Sequence, residues 1–283
     1  MYVSASDVRQ DGFMKAKFLI LLAMGCVAAA ATLLARGCGA TRHHVINVVG
    51  STSVQPFAEM LAQEFNTNHP GVAIDVQGGG SSQGLKAVTD DIADIGMCSR
   101  ALTKDETGYV PIPIARDGLA IVVHPSNPIV NLPRETVARI FSGAIRNWKE
   151  LGGVDATIHC ITREEGSGTR EAFEKMIMHD RDISRKAVTQ ESNGAVKELV
   201  RQDRAGIGYM SLGLVGEELK ALSVDGVVPS HQTVRSGTYP LVRPFLFILK
   251  KDTAVNPDAQ NFIDFVLSPP GQQMLEKEGL VGR

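Results

Sequence analysis

The segment that decides the fold is VINVVGSTSVQPFAEMLAQEFNTNHPGVAIDVQGGG, which covers residues 45–80. It begins with a β-branched run that ends at Gly50, and hydrophobic residues then recur at helical spacing as far as Pro70. A second β-rich run covers residues 72–76 and leads into three consecutive glycines. A strand, a helix and a strand in succession indicate a βαβ unit with parallel strands. The segment therefore predicts an α/β fold.

The same alternation continues along the chain as far as residue 210, and two long extended runs interrupt it. These runs cover residues 109–123 and 239–249, and they enclose a middle α/β block. This arrangement predicts a chain that crosses twice between two lobes. The first lobe is expected to contain residues 45–116 with residues 241–283, which include two C-terminal helices. The second lobe is expected to contain residues 117–240.

The first 38 residues form a different kind of segment. Two lysines follow Met14, and residues 18–35 then carry no charge. A basic start followed by an apolar stretch is typical of an export signal, with Met14 as the expected true start of translation. The alternative is a single transmembrane helix, because eighteen apolar residues approach spanning length. Cys38 suggests lipid attachment, which would leave the exported protein periplasmic or anchored at the membrane.

The composition excludes several classes of function. A net charge of -2, without any run of basic residues, argues against nucleic-acid binding. The cysteines outside the leader, Cys98 and Cys160, form neither a disulfide framework nor a zinc site, and both are expected to be reduced and buried. No two histidines have i, i+4 spacing, so no metal site is expected, and no cofactor motif is present.

Three predicted strand-to-helix junctions combine glycine with hydroxyl residues. They read GSTS at residues 50–53, GGGSS at residues 78–82 and GSGT at residues 166–169. Helix N-termini present free N–H groups and a positive dipole, which favour an anion, and glycine lets a ligand approach the backbone. The alternative for each junction is a simple helix cap. Arg163 precedes the third junction and has a planar donor fork that suits a tetrahedral oxyanion.

Taken together, these residues resemble the phosphate-binding subunits of bacterial phosphate ABC importers, over residues 45–281. The resemblance implies a two-lobed type II periplasmic-binding-protein fold with a ligand cleft between the lobes. The motifs that carry it are GSTS at 50–53, GSSQG at 80–84, ADIG at 93–96, FSG at 141–143 with Trp148, REEGSGT at 163–169, and YPL at 239–241.

The resemblance also implies which residues bind phosphate. They are Thr52, Ser53 and Ser81 from one lobe, Arg163, Ser167, Gly168 and Thr169 from the other, and the residue at position 99. The best-studied branch has an aspartate there, which accepts the proton of hydrogen phosphate, whereas this chain has Ser99. A hydroxyl repels sulfate less than a carboxylate does, so selectivity against sulfate is open, and Glu164 or Glu165 is an alternative proton acceptor.

The expected function is therefore extracytoplasmic capture of inorganic phosphate by a monomer, which delivers it to an ABC permease in the inner membrane. The alternatives are a binding protein or sensor for another oxyanion such as sulfate, and a secreted phosphohydrolase. The motif GSSQG at residues 80–84 matches the nucleophile elbow of serine hydrolases, but His231 is the one late histidine that could complete a triad. The sequence therefore predicts a binding protein without catalytic residues.

Overall fold

The computed structural model describes residues 44–283. The predicted export signal, its start at Met14 and the lipid attachment at Cys38 lie outside these residues. Within residues 44–283, no helix is both long enough and apolar enough to cross a membrane.

Strands and helices alternate along the chain, as the α/β prediction requires. The strands are β1 His44–Gly50, β2 Val72–Gly78, β3 Ile95–Cys98, β4 Tyr109–Val123, β5 Asn131–Leu132, β6 His159–Arg163, β7 Val188–Gln190, β8 Gly206–Ser211, β9 Lys220–Ala221, β10 Ser223–Val224, β11 Val242–Lys250 and β12 Val281–Gly282. The helices are α1 Gln55–Asn68, α2 Ser81–Thr89, α3 Arg134–Phe141, α4 Gly168–Phe173, α5 Asn193–Gln202, α6 His231–Arg235, α7 Pro257–Leu267 and α8 Pro269–Lys277. A π-helical segment, Glu174–Met178, continues α4.

Most of the strands form one continuous curled sheet. Its order is β2-β1-β3-β11-β4-β8-β6-β7, and β9 and β12 also pair with β4. The pairs β1–β2, β1–β3, β6–β7 and β6–β8 are parallel, whereas β11 runs antiparallel to both β3 and β4. The parallel pairs confirm the βαβ units that the sequence predicts.

The long strand β4 joins the two parts of the sheet. Its first ten residues pair with β11, and its last five pair with β8. The predicted extended run at residues 109–123 is therefore a single strand. The second predicted run at residues 239–249 becomes a strand at Val242, and its register against β4 shifts between Phe245 and Leu246.

Hydrophobic residues collect in two main clusters, one on each part of the sheet. The first cluster draws its buried residues from positions 46–115 and 245–280, and it includes Phe65 and Phe262. The second cluster draws them from positions 119–241 together with Val281, and it includes Trp148 and Phe173. Burial of each such aromatic side chain contributes about 2–3 kcal/mol, so each part has a core of its own.

The helix α1 shows how local sequence sets an element that matters for the site. Its buried residues Phe57, Leu61 and Phe65 recur every four positions, and Pro56 near its start requires no N–H bond. The helix begins at Gln55 after a turn, so Thr52 and Ser53 lie in that turn and not on the helix itself. This differs from the prediction that these hydroxyls would lie at the helix N-terminus.

A close approach between two glycines brings α2 against the end of β1. A Cβ atom at Gly50 would overlap the Met97 carbonyl oxygen and would lie 3.0 Å from the Gly84 Cα. Gly50 also has a φ of 144°, which side chains other than hydrogen rarely allow. The glycines therefore permit the turn after β1 and the start of α2 to lie side by side.

Both cysteines of the described chain are free, as predicted. Cys98 is buried at the end of β3, where burial raises the pKa of its thiol. Cys160, on β6, is only partly buried, so the expectation that both are buried is wrong for that residue.

Candidate functional site

The predicted site residues meet where strands of the two parts of the sheet end. Thr52 and Ser53 follow β1, and Thr169 lies in α4, just beyond β6. The hydroxyl oxygens of Ser53 and Thr169 are 2.7 Å apart. Nη2 of Arg163, the last residue of β6, donates to Thr52 Oγ1 at 3.1 Å. Side chains more than one hundred positions apart in the chain thus form one polar cluster.

Arg163 is a charged group of this cluster, and its side chain is 1% exposed. Its Nε and Nη2 atoms each donate to a Glu164 carboxylate oxygen at 2.8 Å, and they also reach the carbonyl oxygens of Gln190 and Glu191. Its Nη1 atom is buried and has no hydrogen-bond partner within residues 44–283. A buried donor without an acceptor is unfavourable, so Nη1 is suited to an oxygen atom of a ligand.

Ser81 and Ser99 form a second pair of fully buried hydroxyls. The backbone N–H of Ser99 donates to Ser81 Oγ at 3.1 Å, and the two side-chain oxygens are 3.4 Å apart. Gly168 lies against this pair, because a Cβ atom there would overlap Ser81 Oγ and would lie 2.8 Å from Ser99 Oγ. The start of α4 can therefore approach the two serines closely only if residue 168 has no side chain.

We expect Gly168→Ala to weaken anion binding at least tenfold, because the new methyl group would displace Ser81 and Ser99. An overpacked buried site costs about 1–3 kcal/mol, which corresponds to roughly tenfold to a hundredfold in affinity. Calorimetric titration with phosphate measures the change. The control is Gly108→Ala, since a Cβ atom at that position has no neighbour within 4 Å. Equal affinities for the two variants would contradict the close approach.

Ser167 has a local role in the described chain. Its hydroxyl oxygen accepts the backbone N–H of Arg170 at 3.3 Å, so Ser167 caps the start of α4. The capping interpretation that applied to each junction therefore holds at this residue. The Ser167 side chain is nevertheless buried, next to Gly168 in the chain.

Arg243 is a functional candidate that the sequence reasoning missed. It lies on β11, is 3% exposed, and pairs with the buried Asp117, whose Oδ2 atom is 2.9 Å from Arg243 Nη2. Arg243 also donates to Thr169 Oγ1 at 2.7 Å, to Ser53 Oγ at 3.1 Å, and to the Ser99 carbonyl oxygen at 3.4 Å. An arginine inside the apolar run VRPFLF is the signal that could have identified it, since charges are buried only with partners.

Asn193 is the second residue that the sequence reasoning missed. It is the first residue of α5 and is buried. Its Nδ2 atom donates to Ser53 Oγ at 2.9 Å and lies 3.4 Å from Thr52 Oγ1. Its motif, SNG, reads like an ordinary helix cap, and Ser192 is indeed that cap. Sequence therefore offered no signal that distinguished Asn193 from a capping residue.

The formal charges of Arg163 and Arg243 are balanced within the site. Glu164 pairs with Arg163, and Asp117 pairs with Arg243. Burial raises the pKa of Asp117, an effect that the Arg243 cation and the Ser211 hydroxyl oppose. Burial likewise lowers the pKa of Arg243, and Asp117 opposes that change. The cluster is thus rich in N–H and O–H donors without a large net charge, which suits a dehydrated oxyanion.

Glu164 and Glu165, the alternative proton acceptors named from the sequence, have different surroundings from Ser99. Both carboxylate oxygens of Glu164 accept from Arg163, and Glu165 is exposed. Ser99 is buried beside Ser81, as the predicted site requires. The hydroxyl of Ser99 is therefore the better-placed acceptor for a protonated ligand oxygen.

The competing chemical interpretations gain no support from residues 44–283. Ser81 Oγ has hydrogen bonds with Ser99 but with no histidine in this part of the chain, so the hydrolase motif has no base. The described residues also contain no group of three or more His, Cys, Asp or Glu side chains that could hold a metal ion.

Comparison with known proteins agrees with this fold. A model of the PBP superfamily domain matches residues 30–270. The PBP superfamily is thus the class of protein to which this two-lobed fold belongs. Within it, the chain belongs to the family of the phosphate-binding protein PstS. The PstS of Borreliella burgdorferi is 30% identical over 253 residues, which cover 84% of this chain and 90% of that protein.

Solved structures of phosphate-binding proteins are similar to this chain in sequence and in fold. A phosphate ABC transporter substrate-binding protein of Clostridium perfringens, with bound phosphate, is 36% identical and has a TM-score of 0.81. The match covers 85% of this chain and 100% of the other. An ABC-type phosphate transport receptor of Vibrio cholerae is also 36% identical, with a TM-score of 0.71 and coverage of 84% and 100%.

Proposed function

We propose that this protein captures inorganic phosphate outside the cytoplasm and delivers it to an ABC-type membrane importer. The observation that carries the proposal is the buried guanidinium of Arg163, whose Nη1 atom has no acceptor within residues 44–283. The Thr52 hydroxyl, from the other part of the sheet, accepts a hydrogen bond from this cation, and the next residue, Ser53, contacts Thr169. The family to which the chain belongs, and the phosphate bound by the Clostridium perfringens protein, support phosphate as the ligand.

Arg163 Nη1, the hydroxyls of Thr52 and Thr169, and the Ser81–Ser99 pair would hold the ligand. The backbone N–H groups of Gly168 and Thr169, at the start of α4, would add donors to the same anion. Arg163 and Thr169 come from one part of the sheet and the other hydroxyls come from the other part. Binding would therefore draw the two lobes together around the phosphate.

The lobes are proposed to comprise residues 45–116 with 241–283, and residues 117–240. The two separate hydrophobic clusters support this division, because each draws nearly all its members from one of these sets. We further propose that the protein is a monomer, is periplasmic or lipid-anchored, and leaves its ligand chemically unchanged. The polar cluster supports a binding role, since within residues 44–283 its hydroxyls bond to arginine, asparagine and each other.

The test is calorimetry on the protein after bound ligand has been removed, with phosphate and sulfate titrated in turn. Tight binding of phosphate in a one-to-one ratio, with much weaker binding of sulfate, is the expected result. Incubation with a phosphate monoester, without release of inorganic phosphate, would exclude a phosphohydrolase. Comparable binding of sulfate would support the alternative oxyanion-binding function, and a lack of binding to either ion would refute phosphate capture.

Ser99→Asp is expected to sharpen the discrimination against sulfate. A carboxylate there would accept the proton of hydrogen phosphate but would repel sulfate, which carries no proton at neutral pH. Unfavourable placement of like charges costs several kcal/mol, so sulfate affinity should fall roughly a hundredfold or more while phosphate binding persists. The matched control is Ser99→Asn, which adds similar bulk without charge. Equal loss of sulfate affinity in both variants would contradict this role for the charge.

A further inference from the structure

N–H donors contact the hydroxyl groups of the site. These donors determine the direction in which each hydroxyl proton points. A serine or threonine hydroxyl has one proton to donate and two lone pairs that accept. When two groups that can only donate occupy both lone pairs, the hydroxyl proton must be given to a third partner. The directions of these protons can therefore be worked out from the heavy-atom contacts.

The amide orientation of Asn193 is settled by a backbone group. The N–H of Ser211 lies 3.2 Å from Asn193 Oδ1, and an N–H group can only donate. The oxygen of the amide therefore faces Ser211, and the nitrogen faces Ser53 and Thr52. Asn193 Nδ2 is thus a donor to both hydroxyls.

Ser53 Oγ receives two donors and gives its proton to Thr169. Asn193 Nδ2 donates to it at 2.9 Å and Arg243 Nη2 donates at 3.1 Å, so both lone pairs are used. The remaining neighbour is Thr169 Oγ1 at 2.7 Å. The Ser53 hydroxyl is then the donor in that contact, and its proton is not available to a ligand.

Thr169 Oγ1 also receives two donors. Arg243 Nη1 donates to it at 2.7 Å, and Ser53 supplies the second proton. Within residues 44–283, no acceptor is bonded to the Thr169 hydroxyl proton. Thr52 is in the same situation, because Arg163 Nη2 donates to it at 3.1 Å and Asn193 Nδ2 lies 3.4 Å away.

We propose that Asn193, Arg243 and Ser53 are positioning residues. They leave the hydroxyls of Thr169 and Thr52 able only to donate hydrogen bonds to the bound oxyanion. This inference rests on the proposed function, since it assumes an anion between these hydroxyls and Arg163. Ser53 acts through Thr169 and does not touch the ligand with its side chain. Asp117 holds Arg243 in place, and the Ser211 N–H orients Asn193.

The threonine hydroxyls and the Ser99 hydroxyl then have opposite roles toward the anion. Thr52 and Thr169 offer only protons, so they suit unprotonated oxygen atoms of the anion. Ser99 Oγ has one weak contact with Ser81, at 3.4 Å, and keeps a lone pair for a protonated oxygen. Bound hydrogen phosphate would therefore place its protonated oxygen at Ser99 and unprotonated oxygens at Thr52 and Thr169.

The test is a double-mutant cycle with Ser53→Ala and Thr169→Val, read by calorimetric titration of the full chain with phosphate. We expect Thr169→Val to weaken binding about thirtyfold and Ser53→Ala about tenfold, because a hydrogen bond to a charged group is lost or misdirected. If Ser53 acts through Thr169, the double variant should bind within about threefold of Thr169→Val alone. Ser142→Ala, which removes a hydroxyl bonded to the Arg139 carbonyl oxygen, is the control and should bind like the wild type.

Thermal unfolding of each variant, measured without phosphate, separates positioning from a purely structural effect. If Ser53 had only a structural role, Ser53→Ala would lower the midpoint temperature of unfolding. Its effect on phosphate affinity would then not depend on Thr169. Additive losses, about three hundredfold in the double variant, would show that Ser53 and Thr169 act independently and would overturn the inference alone. A wild-type chain that does not bind phosphate would overturn the proposed function together with this inference.

Discussion

Arg163→Ala is expected to reduce phosphate affinity by about a hundredfold to several thousandfold, which corresponds to about 3–5 kcal/mol. The substitution removes the Nη1 donor and the cation that balances Glu164. The Glu164 carboxylate would then remain beside Thr52 without its partner, and it would repel the phosphate. The loss should therefore exceed the value of a single charge-assisted hydrogen bond. Calorimetric titration of wild type and variant measures it directly.

The contribution of the unpaired carboxylate can be separated from that of the lost donor. The double variant Arg163→Ala/Glu164→Gln removes both charges, so it should bind phosphate better than Arg163→Ala but still far more weakly than the wild type. Arg201→Ala is the matched control, because Arg201 pairs with Glu198 on an exposed face of α5. Unchanged affinity in Arg163→Ala would place the binding site elsewhere.

Arg243→Met is expected to lower the free energy of unfolding by about 3–5 kcal/mol, because it leaves the fully buried Asp117 without its cation. The pKa of Asp117, already raised by burial, should rise further when the opposing Arg243 is removed. The same variant should weaken phosphate binding at least tenfold, since Thr169 and Ser53 lose the donor that orients them. Denaturant unfolding without phosphate gives the first quantity, and titration gives the second.

A second substitution distinguishes these two effects of Arg243. In Arg243→Met/Asp117→Asn the buried charge is gone, and the introduced amide keeps an oxygen for the Ser211 hydroxyl. We expect stability to recover by about half or more, because breaking a pair costs more than removing both members. Phosphate affinity should stay low. Full recovery of affinity along with stability would mean that Arg243 serves the fold alone.

Much of the candidate site was predictable because short sequence motifs contain its residues. Glycines and hydroxyls at strand ends, with Arg163 beside them, indicate an anion site without knowledge of the partners. The structure brings Thr52, Ser53 and Thr169 together with that arginine. Their separate roles were not predictable, since Ser53 and Thr169 look alike in sequence and differ only in which donors reach them.

Sequence by itself determined the α/β class, the long strand β4 and most residues of the candidate anion site. These features depend on local periodicity and on side-chain chemistry, which each segment contains in full. Tertiary structure alone decided that Asn193, Arg243 and Asp117 belong to the candidate site. Asp117 and Arg243 are 126 positions apart, and their ion pair exists only because β11 returns to lie against β4. The direction of each hydroxyl proton depends on such long-range contacts, so no local pattern in the sequence determines it.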